Sequence, residues 1–298
     1  MDDKALELRM ILIIYLSFII SIAYEMWHWR RRGRTDKYVT KDSLANYALL
    51  AMQVFLGEIG KVLFIIICLD WVRAHGIHLL GTGWLSAAIV FLGVDLGYYW
   101  FHRMSHRSRF LWAIHVSHHS SELMNFSTAL RQPPLEHLID WLWFIGLAWL
   151  GIPAKMILLM YGLNLTYQFF IHTELVYKLP RWIELIFNTP SHHRVHHGKN
   201  PEYIDMNYAG VFIIWDRLFG SFVEEQAPVQ YGILHPVHSY NPFYVGFHLW
   251  ADIWRDLRRP ASLWIKFKQI FAPPSWAEEY RLGQQAGAPA FTEVQKGV

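Results

Sequence analysis

Apolar residues gather along the chain into long runs parted by short polar stretches, the pattern of helices that are hydrophobic all round and not along one stripe. The first run covers about 10 to 29 and stops at Trp29-Arg30-Arg31-Arg32, with Arg34, Lys37 and Lys41 close behind. Its acidic start, charged stop and lack of a small-residue cleavage site predict a retained helix, not a cleaved signal. A second run, about 44 to 72, carries Glu58 and Lys61 three residues apart, so that they can pair on one helical face. The third, about 79 to 101, leads into a histidine motif. A fourth and fifth, about 135 to 150 and 153 to 171, meet at Gly151-Ile152-Pro153 and read as a helical hairpin. The fourth is short for the roughly 20 residues that a crossing needs. Beyond Pro180 the pattern turns mixed polar and aromatic, with a surface helix expected near 243 to 257 and a poorly ordered tail after Pro273.

Composition turns this pattern into a fold class. Hydrophobic residues make up 53% of the 298 and charged residues 17%, which describes an all-α, polytopic membrane protein with about four to five transmembrane or hairpin helices. Six basic residues between 30 and 41 assign that loop to the cytoplasm by the positive-inside rule. Alternation then brings residues 96 to 106 and both ends of the hairpin to the same cytoplasmic face, beneath a histidine-rich helical cap. The compartment is the inner membrane of a bacterium or the endoplasmic reticulum of a eukaryote. The net charge of +3 lies mostly at segment ends and forms no continuous basic face, so nucleic acid is excluded as a partner. Cys68 is the only cysteine, which rules out a disulfide and a thiolate cluster. Any metal must be held by imidazole and carboxylate.

Imidazole is abundant. Of 17 histidines, eleven fall between 102 and 197. Three clusters stand out: His102 with His106; His115, His118 and His119; and His193, His196 and His197. Spacings of three and four place side chains on one helical face. The eight are candidate ligands, with His172 at the end of the fifth run as a ninth. Four to five nitrogens per ion suits two ions that keep positions open for dioxygen or bridging water, whereas closed structural zinc needs four ligands in all. His192 and His137 are ambiguous, each either a ligand or a donor beside one.

The clusters resemble the eight-histidine pattern of the fatty acid hydroxylase and sterol desaturase superfamily of membrane di-iron enzymes. The resemblance is closer to its ether-lipid-cleaving branch, through residues 91 to 104, His118-His-Ser-Ser-Glu122, Leu130-Arg-Gln132, Gln168 to Glu174, residues 188 to 198, Tyr208 to Val211 and Ile214 to Gly220. It implies a catalytic unit over 91–220, between N-terminal helices (1–90) and a C-terminal region (221–298). It also implies two iron ions, with zinc able to substitute on purification, O2, and tetrahydrobiopterin or another tetrahydropterin as electron donor, a reductase chain being the alternative. The substrate implied is a bilayer lipid, a glyceryl ether hydroxylated at the carbon next to its oxygen.

Asp95 lies seven residues before His102 in an apolar helix, where a carboxylate is costly unless paired. It is expected to accept an N–H from a ligating imidazole, or else to make a structural hydrogen bond. Glu122, Glu174 and Asp205 follow the clusters and are candidates for the same role, with capping or surface positions as the alternative. Rival readings are a sterol or fatty-acyl hydroxylase or desaturase, a histidine-rich metal transporter or sensor, and a metal-free lipid-binding scaffold.

Overall fold

The computed structural model describes residues 3–60, 65–81 and 83–285. Among them the regular structure is helical, apart from one isolated bridge between Gly198 and Tyr231. Helix α1 (Asp3–Arg31) and helix α4 (Trp84–Arg107) contain the two segments that are long and apolar enough to cross a membrane. Leu12, Ile13, Ile19 and Ile20 of α1 face outward uncovered, which suits a hydrocarbon solvent and not water.

The second apolar run resolves into α2 (Thr40–Gly60) and α3 (Ile66–Ala74). Lys61 lies outside the described residues, and with it the expected pairing to Glu58. The fourth run differs more. It is no spanning helix but a chain of 3-10 turns at Glu136–Leu138 and Asp140–Phe144, followed by the five-residue α6 (Ile145–Trp149). Glu136 and Asp140 are both buried there, beside apolar residues that pack on α4. The packing is close: a Cβ at Gly93 of α4 would come within 2.7 Å of Leu147. Gly151 then reverses the chain at φ +101, where a Cβ would also meet the backbone of His78 at 2.7 Å.

Helix α7 (Ala154–Ile171) returns along α4 and closes the main core with Ile157 and Tyr161 against Val90, Val94 and Tyr98. Short helices α5 (Arg109–His119), α8 (Arg181–Ile186), α9 (Pro190–His196) and α10 (Ile214–Leu218) gather at the end where α4 and α7 finish. The expected surface helix is α11 (Pro242–Leu257), begun by Pro242 and capped by Asn241, which accepts from Phe243 N and Tyr244 N. Two more helices follow, α12 (Leu263–Phe271) and α13 (Pro274–Gln285). The expectation of disorder from Pro273 therefore fails as far as Gln285. Ala277 of α13 is buried, and Arg109 of α5 ties this region down through Asp256 at 2.7 Å and the carbonyl of Gln269 at 3.0 Å.

Candidate metal centre

Local geometry puts the histidines within reach of one another. His102 and His106 are one turn apart at the end of α4, and Ser108, extended at φ −125, reverses the chain into α5. On α5, His115 and His119 share a face while His118 is rotated about 100° away from His119. His172 sits just past the last turn of α7, and α9 contributes His193 and His196, with His197 immediately after it. All nine are buried. They form two groups whose ligand atoms lie within 4.8 Å of one another: His102, His106, His115, His119 and His196 in one; His118, His172, His193 and His197 in the other.

The orientation of the rings is chemically specific. Nδ1–H of His102 donates to the carbonyl of Tyr208 at 2.7 Å, that of His118 to Arg131 at 3.1 Å, that of His172 to Gln168 at 2.7 Å and that of His196 to Met206 at 3.0 Å. A carbonyl can only accept, so each of these rings carries its proton on Nδ1 and a bare lone pair on Nε2. Yet Nε2 of His172 lies 3.2 Å from Nε2 of His118. Two lone pairs cannot hydrogen-bond to each other, and a cation between them removes the conflict. Burial, with the neighbouring imidazoles adding to it, holds His115, His118, His119, His193, His196 and His197 well below the usual imidazole range. They are neutral at pH 7, the form that binds metal. Nε2 of His106 and of His196 have no hydrogen-bond partner among the described residues. The donor set therefore fits two N-ligated ions.

Carboxylates act at one remove, and of the candidates in the sequence only Asp205 lies beside a candidate ligand. Asp95 meets no imidazole: it accepts from Val211 N (2.7 Å), Phe212 N (3.1 Å), Trp215 Nε1 (2.8 Å) and Asn164 Nδ2 (2.6 Å). Asp216 accepts from Tyr208 N and Ala209 N, both at 2.8 Å. Together they fix the loop whose Met206 and Tyr208 carbonyls orient His196 and His102. Replacing Asp95 with leucine strands four donors, those of Val211 and Asn164 on buried residues, so we expect a loss of roughly 3 kcal/mol or more. A fall in the thermal midpoint, together with reduced metal content, is the expected readout.

Glu122 is an exposed residue 3.6 Å from Lys199, and Glu174 binds Lys37 and Tyr231, so neither touches a ligand imidazole. Asp205 does, 3.5 Å from Nδ1 of His106. Sequence reasoning missed Glu136, which lies 3.1 Å from Nδ1 of His115; its only signal was a carboxylate in an apolar run. His192 stands outside both groups, 3.8 Å from Glu184, and His137 pairs with Asp140 at 2.7 Å. Arg131 reaches Asp42 and Asn46, and Arg194 reaches Glu225 and the carbonyls after His172; both are structural ties near the cluster.

Two cavities meet the histidines. One, of about 730 Å³, runs from Phe18, Ile19, Val54 and Leu165 to His115, His118 and His172. The other, of about 590 Å³, lies between His106, His119 and His196 and the polar side chains Asp252, Glu278 and Arg281 of α11 and α13.

The fatty acid hydroxylase model matches residues 87–221, a span that holds all nine histidines. The chain is also 31% identical over 232 residues to the ornithine lipid hydroxylase OlsE of Rhizobium tropici, an alignment covering 72% of this chain and 68% of that protein. The chain belongs to the fatty acid hydroxylase family. Within it, the human alkylglycerol monooxygenase is 48% identical over 210 residues, 70% of this chain and 46% of the human protein. That of Xenopus tropicalis is 40% identical over 290 residues, 94% of this chain and 62% of the frog protein. The chain thus spans about half of the first relative's length and about three fifths of the second's. No solved structure matches this hydroxylase-family chain.

Proposed function

We propose that the chain is a membrane di-iron monooxygenase that cleaves alkylglycerol ether lipids. The observation that carries this reading is the pair of buried imidazole groups whose unprotonated nitrogens face one another at the end of an apolar cavity. Similarity to proteins named alkylglycerol monooxygenase supports the substrate. His102, His106, His115, His119 and His196 would hold one iron, and His118, His172, His193 and His197 the other. Bound iron supplies oxygen activation: one oxygen atom is inserted into a C–H bond and the other leaves as water, for two electrons and two protons.

The chain's own residues supply placement. Tyr208, Arg131, Gln168 and Met206 carbonyls hold the rings in the metal-binding tautomer, and buried Glu136 and half-buried Asp205 hold two more. The apolar cavity, walled by α1, α2 and α7, admits an alkyl chain sideways from the bilayer and keeps water from it. The second cavity, with Asp252, Glu278 and Arg281 in its wall, offers a route for the electron donor, a tetrahydropterin or a reductase chain. Lys37 of the basic loop pairs with Glu174, two residues past His172, so that loop and the histidines share one end of the helices. By the positive-inside rule that end is cytoplasmic. A transporter would instead need ligands strung along the membrane midplane.

Hydroxylation of the ether-adjacent carbon gives a hemiacetal that collapses to aldehyde and glycerol. The test uses an alkylglycerol labelled at that carbon, with oxygen and tetrahydropterin. Labelled aldehyde with matching consumption of reduced pterin is expected. Oxidation of a sterol or acyl lipid instead, driven by a reductase chain, would reject the substrate and the pterin while leaving the metal assignment.

A further inference from the structure

The apolar cavity is not apolar throughout. Where it approaches the histidines its wall carries Gln53, Tyr98, Gln132, Glu136 and Gln168. Each is one bond or one residue from a ring of the cluster or from another member of the set. Glu136 contacts His115, the Gln168 carbonyl receives His172, Gln132 follows the Arg131 carbonyl that receives His118, and the Tyr98 ring lies 5.3 Å from that of His102. Gln53 reaches Gln132 at 3.3 Å. Gln53 and Glu136 are 3% and 4% exposed, so water outside the protein does not satisfy them.

Among the described residues the hydrogen bonds of Gln53, Gln132 and Glu136 are few. Glu136 commits one oxygen to His115. Gln53 donates to Gln132, and Gln132 donates one N–H to the carbonyl of Ala129 at 2.6 Å. Amide and carboxylate groups facing an alkyl chain would lose their hydration with no return. A ligand that belongs here must bring both donors and acceptors to this inner end, and an apolar tail for the outer one, where Phe18, Ile22, Leu50 and Phe169 line the wall.

We infer that Gln53, Gln132 and Glu136, flanked by Tyr98 and Gln168, form a subsite for a hydroxyl-bearing headgroup, a vicinal diol held beside the metals with its alkyl chain trailing back to the bilayer. The inference rests on the proposed ether-lipid reading and deepens it. It reverses the simplest picture of a lipid enzyme, in which the headgroup stays in water and only the chain enters. It also bears on regiochemistry: with the diol anchored at this end of the cavity, the ether carbon is the first C–H group of the alkyl chain that the metals can reach, and the chain terminus is the last.

The experiment measures binding without turnover. The metal-loaded full chain in lipid nanodiscs, under argon, is titrated with radiolabelled 1-O-hexadecylglycerol and with hexadecyl methyl ether, which has the same chain and no hydroxyl. The wild type is expected to prefer the diol by at least tenfold, and Gln132→Leu and Gln53→Leu each to reduce that preference severalfold. With oxygen restored, KM for the diol should rise more than kcat falls, with two metals per chain retained. Equal weakening toward both ligands would overturn the subsite, since it would report a damaged wall; so would an unchanged preference, or tighter binding of an alkylammonium ligand in place of the diol. A wild type that prefers the diol but oxidises only another lipid would reject the proposed function and keep the subsite. No preference for the diol rejects the subsite whichever lipid is oxidised.

Discussion

Replacing His193 by alanine should remove the metal from the four-imidazole group and with it at least about 99% of turnover, while the protein still inserts and folds. The four-ligand group is the sensitive one. Loss of a single nitrogen leaves His118, His172 and His197 to hold an ion in a buried pocket, whereas the other group would keep four imidazoles after a similar loss. Even loss of a residue that merely orients a ligand typically lowers metal affinity about 10- to 100-fold. Insertion depends on the apolar faces of α1 and α4, which His193 does not touch. Metal analysis per chain, with circular dichroism as the folding check, should read two ions in the wild type and one in His193→Ala. Two ions and full activity in the variant would show that the ligand set is misassigned.

Acidification should have a comparably large effect on the metal-free protein. His115, His118, His119, His193, His196 and His197 are all held below the ordinary imidazole pKa of about 6.5, first by burial and then by one another. Below that pH the unfolded chain binds protons that the folded chain refuses. Stability is therefore fully present above about pH 6.5 and is lost as the pH falls. With several groups acting together, the unfolding midpoint should drop steeply between about pH 6.5 and 5, more steeply than for a protein with a single buried histidine. Bound metal competes with the same protons, so metal release should follow the same direction. Thermal unfolding of the chelated protein at pH 7.5, 6.5 and 5.5 provides the check. A midpoint that is flat or rises on acidification would mean that these rings are solvated or already protonated in the folded state.

Helical spacing made the ligands legible from the chain alone, because it is a local property. His102 and His106, or His115 and His119, share a face wherever their helix lies. Apolar run length likewise announced α1, α4 and α7, since each is continuous and needs no partner to be recognised. The partition of imidazoles between two groups was not local. His118 separates from its sequence neighbours His115 and His119 and joins His172, 21 residues upstream of His193, while His196 crosses to the group of His102. Only the packing of α5 and α9 against the ends of α4 and α7 decides that.

The carboxylates show the same division. Asp95 looked like a partner for His102, but seven residues of helix separate them by about 10.5 Å of rise, beyond hydrogen-bond reach. It serves the loop at 211–215 instead, which comes back to α4 from more than a hundred residues away. Four of the ring-orienting groups are backbone carbonyls, which every residue has, so no side-chain pattern could have marked Tyr208, Met206, Arg131 or Gln168 for that task. The fourth apolar run was misread for a related reason: hydropathy averages over Glu136 and Asp140 and does not report that the folded chain winds there in short 3-10 turns with both carboxylates inside. The sequence alone determined which atoms could bind metal, because those are fixed by residue type and helical period. Tertiary structure decided which rings gather in one group, which nitrogen each ring presents and what lies beside them, because those depend on contacts between segments that the chain brings together only on folding.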